Sequence, residues 1–151
     1  VGARASGSTH DSRKDIGYGI YDELDFEVIT ETAGDVEARI KVRIGEVAQS
    51  LKLVRQLISK LRRNAETQLA VELGELQQEE GHFTWGISES ARGDNLHCLL
   101  LDKEGRIDRL FVRSASYPNW PALTVAVQGD IIPDFPLINK SFELCYACID
   151  R

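Results

Sequence analysis

The sequence contains no methionine, only three cysteines and no run of about 18 consecutive apolar residues. The missing start methionine predicts that Val1 is not a natural translation start and that the chain is part of a longer protein. The three cysteines are an odd number at low density, and no secretory signal is visible. These features favour the reducing cytosol, with thiols that are free or bound to metal.

The sequence has few basic residues relative to acidic ones: 18 Lys and Arg and 24 Asp and Glu give a net charge of -6. This balance argues against a nucleic-acid surface, because phosphate binding requires clustered cations. The one basic cluster, Lys60 to Arg63, lies at the end of a predicted helix. No nucleic-acid partner is therefore expected, and 151 residues predict a single domain with its own core.

Apolar residues recur at spacings of three and four from Val36 to Leu61, which predicts one long amphipathic helix. Asp35 is its expected N-cap, and Glu37 and Lys41 form an i,i+4 pair. At 1.5 Å per residue this helix would be about 40 Å long, too long for so small a domain to cover.

Part of the apolar face of this helix is accordingly expected to need a partner. In an isolated chain we expect Ile44, Leu51 and Ile58 to be partly exposed and to be used in self-association.

Three β-favouring segments separated by turn signals predict a small antiparallel sheet, and a fourth segment, Asp25–Thr30, is a further candidate strand. The three segments are Phe83–Ile87, Leu96–Leu101 and Ile107–Val112. Residues 1–19 have no sustained period and are expected to form an irregular arm.

Two short helices are predicted after the sheet. Asn119 is expected to cap the first, which Gly129 would end, and Pro133 and Pro136 mark the start of the second. The predicted fold class is therefore α+β, with one long helix, a small antiparallel sheet and short C-terminal helices.

The chemistry-bearing motif is the CxxC formed by Cys145 and Cys148 close to the end of the sequence. Taken alone, this spacing is compatible with half of a zinc site, a redox pair, or two buried small apolar residues. A stand-alone thiol redox domain is disfavoured, because the motif does not begin a helix in a βαβ context. The third cysteine, Cys98, has apolar neighbours and is expected to be a core thiol.

A series of motifs in fixed order resembles the C-terminal part of the nickel-iron hydrogenase large subunit. The likeness is to the membrane-associated branch, which includes formate hydrogenlyase large subunits and is related to the D-type subunit of NADH-quinone oxidoreductase. In chain order the motifs are Arg4-Ala5-Ser6-Gly7, Tyr21-Asp22-Glu23, Gly34-Asp35-Val36 with Arg39 and Arg43 following, Glu89-Ser90-Ala91-Arg92-Gly93, Val112-Arg113-Ser114-Ala115-Ser116, Gly129-Asp130, and the final CxxCxxR.

The resemblance implies a role for each residue of a candidate metal site. Cys145 would be a terminal nickel thiolate and Cys148 a thiolate bridging nickel and iron, with the other two thiolates supplied by an absent N-terminal half. Arg92 would place its guanidinium over the open metal position. The family has Asp-Pro before the first cysteine, whereas this chain has Glu143-Leu144. Glu143 is predicted to be catalytic with Arg92, but it keeps the carboxylate on a longer arm and the proline-fixed φ is lost.

Two further positions complete this comparison. His97 falls where the family often has a histidine, but a lone strand histidine is more often a packed or surface residue, and it is not assigned a role. Arg151 stands where many hydrogenases have a metal-binding histidine, and it cannot ligate a metal. Because the chain supplies two of four thiolates, it is expected to hold no nickel-iron cluster by itself.

Two functions follow from the resemblance. The first is a hydrogenase segment for reversible hydrogen and proton interconversion, with an iron-sulfur small subunit and membrane subunits as partners, peripheral on the cytoplasmic face of the membrane. The alternative is a structural and quinone-binding module like the D-type subunit of an NADH-quinone oxidoreductase. A CxxC in the upstream sequence would favour the first, and its absence the second.

Overall fold

A computed structural model describes residues 1–63 and 82–148. Its elements confirm the α+β class. In chain order they are helices α1 (Gly2–Ala5), α2 (Ser12–Asp15) and α3 (Val36–Arg63), strands β1 (Phe83–Ser90), β2 (Gly93–Leu101) and β3 (Ile107–Arg113), and helices α4 (Trp120–Ala126) and α5 (Phe135–Phe142).

The long helix α3 begins where its sequence signals predict. Asp35 Oδ1 accepts a hydrogen bond from the Ala38 amide at 2.8 Å, so one of the unpaired donors of the first turn is satisfied. The expected pair of Lys41 with Glu37 forms at 2.8 Å. The helix is described as far as Arg63, two residues beyond the predicted Leu61, and its last described turn carries three basic residues, as suits the negative end of a helix dipole.

The apolar stripe of α3 is largely exposed in the described part of the chain. Ile44, Leu51 and Ile58 are 66%, 57% and 45% exposed, which confirms the predicted partial exposure. The helix instead buries Ala38, Arg39, Val42 and Leu53. Self-association through the exposed stripe stays a prediction.

The predicted strand at Asp25–Thr30 is wrong. This segment is irregular and lies along α3, where Phe26 packs with Leu24 and Leu53. The Asp25 amide donates to Gln56 Oε1 at 2.9 Å, and Gln56 Nε2 donates to the Asp25 carbonyl at 2.7 Å. A side chain of α3 therefore takes the place of the partner strand that a short alternating run would require.

The segment 1–19, expected to be an irregular arm, contains the two four-residue helices α1 and α2. Both are associated with buried polar side chains, since Arg4, Asp11 and Ser12 are almost completely enclosed. The segment is thus packed against the rest of the molecule by polar contacts.

The three strands form one antiparallel sheet in the order β1-β2-β3. Pairing of Ser90 with Gly93 leaves Ala91 and Arg92 as the turn between the first two strands, and Gly93 has a φ of 127°. This conformation favours glycine. The first strand extends three residues beyond the predicted Ile87, the second begins three before Leu96, and the third extends one beyond Val112.

The C-terminal helices enclose a small core of Leu123, Ile138, Phe142 and Leu144. Asn119 precedes α4 as predicted, but its side chain makes no capping hydrogen bond. Within residues 1–63 and 82–148, no helix combines the length and apolar character needed to span a membrane.

Gly45, in the middle of α3, allows a close approach by the irregular segment. A Cβ at this position would lie 2.7 Å from Ile29 Cγ2 and 3.1 Å from Ile29 Cγ1. A helical Gly→Ala change normally stabilises by about 1 kcal/mol. We expect Gly45→Ala instead to lower the free energy of unfolding by about 1 to 2 kcal/mol, measured by urea denaturation, because the methyl group overpacks this contact.

The control for this prediction is the same substitution in an Ile29→Ala background, where both crowding γ carbons are gone. There, Gly45→Ala should be neutral or stabilising. Equal destabilisation in both backgrounds would contradict the packing argument.

The exposed stripe of α3 generates a second prediction. Ile44→Asp combined with Leu51→Asp should reduce self-association of the 151-residue chain at high concentration, because each apolar side chain withdrawn from water contributes roughly 1.5 to 3 kcal/mol. Sedimentation equilibrium measures the change. Ser59→Asp, a polar exposed position on the same helix, is the control, and a monomeric parent chain at millimolar concentration would overturn the prediction.

Candidate functional site

The two cysteines of the CxxC motif converge just after α5. Their Sγ atoms lie 2.6 Å apart, with the Cys148 thiol donating to Cys145. This hydrogen bond lowers the pKa of Cys145 below its ordinary value, and the charge of Arg92 acts in the same direction. The pair therefore presents a thiolate-prone sulfur beside a second thiol, as a soft metal ion requires.

The predicted site residues Arg92, Glu143 and Cys145 come together in the structure. Arg92 Nε donates a short hydrogen bond to the carbonyl of Glu143, 51 positions away. The turn between β1 and β2 thus folds onto the residues that lead into the CxxC turn. This contact brings Arg92 close enough for its charge to act on Cys145, while the roles that the resemblance implies for these residues stay predictions.

Glu143 links this contact to the long helix. It has a φ of 53°, a left-handed conformation at the end of α5. Its carboxylate forms a short ion pair with Arg43 on α3 and a contact of 3.2 Å with Lys140. The Lys140 hydrogen bond and the charges of Arg43 and Arg92 hold the pKa of Glu143 below its usual range.

Sequence reasoning missed the residues that hold the two halves of the site together. They lie in the loop between β3 and α4, which we call the serine loop (residues 114–119). Ser116 Oγ accepts from the Cys145 amide at 3.0 Å, and Ser114 Oγ donates to the Cys148 carbonyl at 3.2 Å. Asn119 Nδ2 donates to the carbonyl of Arg92 at 3.0 Å and to that of Ala115 at 2.6 Å.

One loop therefore fixes both the cysteine turn and the arginine turn. The motif that carries the resemblance includes both serines, but nothing in their spacing indicates hydrogen bonds to the cysteine backbone. Asn119 is predicted to be a cap, because asparagine before an apolar period is a common helix start. Its amide instead serves the tertiary contact.

His97 and Cys98 lie within β2. His97 pairs with Gly86 and Val112, and Cys98 pairs with Trp85 and Phe111. The expectation that Cys98 is a core thiol is corrected, because it is only half-buried and belongs to none of the buried clusters of the described chain.

A cleft of about 490 Å³ opens beside the arginine turn. Arg92 and Glu143 lie on one side, Ile44 and Glu46 of α3 on another, and Glu89 and Arg4 at its inner end. The cleft combines apolar walls with charged groups, as ligand and active sites commonly do.

The inner end of the cleft contains a buried ionic network. Arg4, whose side chain is 5% exposed, contacts Glu89 at 2.8 Å and Glu46 at 2.7 Å. Arg4 Nε and Glu46 Oε1 form an ion pair, but the two atoms are not aligned as a hydrogen bond. Burial raises the pKa of Glu46, and Arg4 opposes this effect.

The described residues supply two thiols for a metal and no group of three or more ligating His, Cys, Asp or Glu side chains. Arg151, expected to be unable to ligate, lies outside the described residues. A complete set of four sulfur ligands would need two more from elsewhere in the protein.

The comparison with family models decides the assignment. The model for the 49 kDa subunit of respiratory-chain NADH dehydrogenase matches residues 1–80 and 74–151. The chain belongs to this family. The resemblance inferred from the ordered motifs is thereby confirmed.

Relatives of this 49 kDa subunit family include hydrogenases and quinone reductases. Formate hydrogenlyase subunit 5 of Escherichia coli (strain K12) is 36% identical over 98% of this chain and 25% of its own length. A D-type subunit of NADH-quinone oxidoreductase from Salinispora tropica is also 36% identical, over 99% of this chain and 38% of its own.

A solved structure agrees with this assignment. A chain of the membrane-bound sulfane sulfur reductase, an archaeal respiratory membrane complex, superimposes with a TM-score of 0.85 at 28% identity, over 98% of this chain and 41% of that chain. The present chain thus spans less than half the length of each of these relatives.

The position of Asn119 generates a prediction about the site. Asn119→Ala should lower the free energy of unfolding by about 1 to 2 kcal/mol, because the carbonyls of Arg92 and Ala115 lose their donor in a partly buried setting. Urea denaturation measures the loss. Asn139→Ala, which removes an exposed amide in contact with the Tyr146 hydroxyl, is the matched control. Similar small losses for both variants would contradict the assigned role.

Proposed function

We propose that this chain is a segment of a hydrogenase-type large subunit in a membrane-associated complex, where Cys145 and Cys148 ligate a nickel-iron centre. The observation that supports this most directly is the convergence of the two thiols beside Arg92, which a hydrogen bond joins to Glu143, 51 positions away in sequence. Family membership places the chain among oxidoreductase subunits, and the thiols are what a soft metal would use.

The two thiols of Cys145 and Cys148 would supply half of the sulfur ligands of such a centre. Cys145 has a lowered pKa and lies beside Cys148, so the two can act as thiolates on one metal. When bound, the nickel-iron group would supply the redox step that interconverts hydrogen with protons and electrons. A second pair of thiolates would come from an N-terminal part of the complete protein, and the chain alone is expected to hold no cluster.

The chain's own residues would position and polarise this site. The serine loop fixes the backbone of both cysteines, and Asn119 fixes the turn that carries Arg92. With Nε committed to the Glu143 carbonyl, the Arg92 guanidinium is restrained in orientation while it lines the cleft. A restrained cation next to a reacting centre stabilises developing negative charge without reorganisation.

Glu143 is predicted to be catalytic, and this stays a prediction. Its carboxylate pairs with Arg43 and Lys140, while its carbonyl receives Arg92. We propose that it orients Arg92, with its acidity tuned by the surrounding cations.

The proposed partners are the N-terminal half of the large subunit, an iron-sulfur small subunit and membrane subunits. The proposed location is peripheral, on the cytoplasmic face of the membrane. The exposed apolar stripe of α3 offers a surface for such contacts. Three of the relatives are named as parts of formate hydrogenlyase, NADH-quinone oxidoreductase and a respiratory membrane complex, which supports assembly into a larger complex.

A second candidate is a structural and quinone-binding module like the D-type subunit of NADH-quinone oxidoreductase. It is favoured by the family model itself and by D-type relatives that are as similar to this chain as the hydrogenlyase protein. In that case the cysteines would be retained without metal. The upstream sequence separates the candidates, since a second CxxC there supports metal binding.

Metal analysis of the full-length protein from its native host tests the first function. Wild-type protein should contain nickel and iron in stoichiometric amounts, Cys145→Ser should abolish both, and Cys98→Ser, on the sheet, should retain them. Arg92→Lys should keep the metals but reduce hydrogen turnover roughly 100-fold, because lysine lacks the planar fork that holds the charge in place. Wild-type protein without nickel would favour the second candidate.

A further inference from the structure

The proposed hydrogen chemistry consumes or releases protons, so it requires a route that carries protons between the site and solvent. Arg92 and Glu143, which lies two residues before Cys145, line the cleft, and so does Glu89 at its inner end. Glu89 is almost completely enclosed, with 3% of its side chain exposed. A proton on Glu89 therefore needs a path through the protein to reach bulk water.

A continuous chain of polar contacts leads from Glu89 to the surface. Glu89 Oε2 accepts hydrogen bonds from Ser12 Oγ at 3.0 Å and from the Ser12 amide at 3.1 Å. Ser12 Oγ also makes a short hydrogen bond with Asp94 Oδ1. Asp94 Oδ2 in turn contacts His10 Nε2 at 2.9 Å.

The two ends of this series of contacts differ in solvent exposure, as a proton relay would need. Ser12 is fully buried, whereas the His10 ring is 55% exposed and can exchange protons with bulk water. At the inner end, a cleft of about 490 Å³ has room for several waters, each occupying about 30 Å³, between Glu89 and Arg92.

We propose that His10, Asp94, Ser12 and Glu89 form a proton relay between solvent and the cleft. The proposal rests on the proposed hydrogenase function, which supplies the demand for protons. It assigns a transport role to the N-terminal segment and the start of β2, and neither of these carries a metal ligand.

Each inward transfer balances in protons and charge. Protonated His10 gives its Nε2 proton to Asp94 Oδ2, which leaves neutral imidazole and a neutral carboxylic acid. Half a turn of the Asp94 carboxyl group presents that proton to Ser12 Oγ, which passes its own hydroxyl proton to Glu89 Oε2. Asp94 is then a carboxylate again, Glu89 is a neutral acid facing the cleft, and the reverse sequence exports a proton.

Neighbouring groups shift the pKa values of His10 and Asp94 in directions that favour these transfers. Hydrogen bonding to Asp94, followed by the contact with Asp15 at 2.5 Å, raises the pKa of His10, so that it carries a proton more readily near neutral pH. Burial acts to raise the pKa of Asp94, but hydrogen bonds from Ser12 and His10 leave it lowered, so the proton does not rest there.

Charged groups surround Glu89 at the inner end of the relay. Arg4 contacts Glu89 at 2.8 Å and Asp11 at 3.9 Å, and Arg13 pairs with Asp11 at 2.6 Å. Glu46 contacts Arg4 at 2.7 Å on the side of the cleft. These contacts hold the Glu89 carboxyl group in place between Ser12 and the cleft.

The test uses the full-length, metal-loaded protein in its complex. Asp94→Asn and Ser12→Ala should each slow hydrogen evolution on the order of 100-fold, the lower end of the scale on which proton-transfer groups contribute, while nickel and iron content stay at the wild-type level. Asp108→Asn is the matched control, because Asp108 is an exposed carboxylate on β3 outside the relay, and its rate should stay within about twofold of wild type.

A second measurement separates proton transfer from a structural role. His10→Ala should lose activity in a buffer of low concentration and regain it on addition of imidazole, a diffusible proton carrier that can protonate Asp94 directly. A merely structural contact would not respond to imidazole. In metal-free full-length protein, the His10 pKa followed by NMR should fall in Asp94→Asn, which reads out the contact without any turnover.

The outcomes distinguish the relay from the function on which it rests. Wild-type rates in both Asp94→Asn and Ser12→Ala overturn the relay and leave the hydrogenase function standing. Loss of metal in these variants, or failure of imidazole to restore His10→Ala, also overturns the relay in favour of a structural role. A wild-type protein without hydrogen activity removes both proposals.

Discussion

The buried ion pair between Arg4 and Glu89 is the interaction on which the arrangement of the described chain depends. Both side chains are nearly enclosed, and the pair joins α1 to β1 across 85 positions of sequence. Glu46 extends the contact to α3, so one guanidinium ties three parts of the fold together. Removing one partner of such a pair costs about 3 to 5 kcal/mol, because it leaves an uncompensated buried charge. The sheet, which has much exposed apolar surface, would lose its principal polar anchor.

The exposed apolar surfaces have a simple physical meaning. Large apolar side chains on the sheet, including Trp85, Leu110 and Phe111, are more than half exposed, and those on the stripe of α3 are also largely in contact with solvent. An isolated domain seldom leaves so many large apolar groups in water. The chain covers only 25% to 41% of the length of the relatives compared above, and the exposed surfaces agree with the proposed contacts to other parts of a larger assembly.

The sequence predicts the elements whose signals are local, namely the long periodic helix and the glycine-marked sheet. Asp25–Thr30 is misassigned because alternation over six residues looks the same for a strand and for an extended segment bound by Gln56. The contact of Arg92 with Glu143 follows only from the resemblance, since no local rule relates residues 51 positions apart. Asn119 supports the site through backbone groups that the fold leaves unpaired, and no periodic signature indicates that role.

The family has Asp-Pro where this chain has Glu143-Leu144, and side-chain contacts replace the conformational restriction that the proline would impose. Without proline in the next position, the backbone before Cys145 is free to adopt the left-handed conformation seen here, which costs a non-glycine residue on the order of 1 kcal/mol or more. The longer glutamate arm reaches Arg43 and Lys140, and the outward carbonyl accepts from Arg92. Charge-assisted contacts from three cations thus offset the strain, and they connect the cysteine turn to α3 and to the sheet. A shorter aspartate would have less reach toward Arg43, so the glutamate is suited to this conformation of the chain.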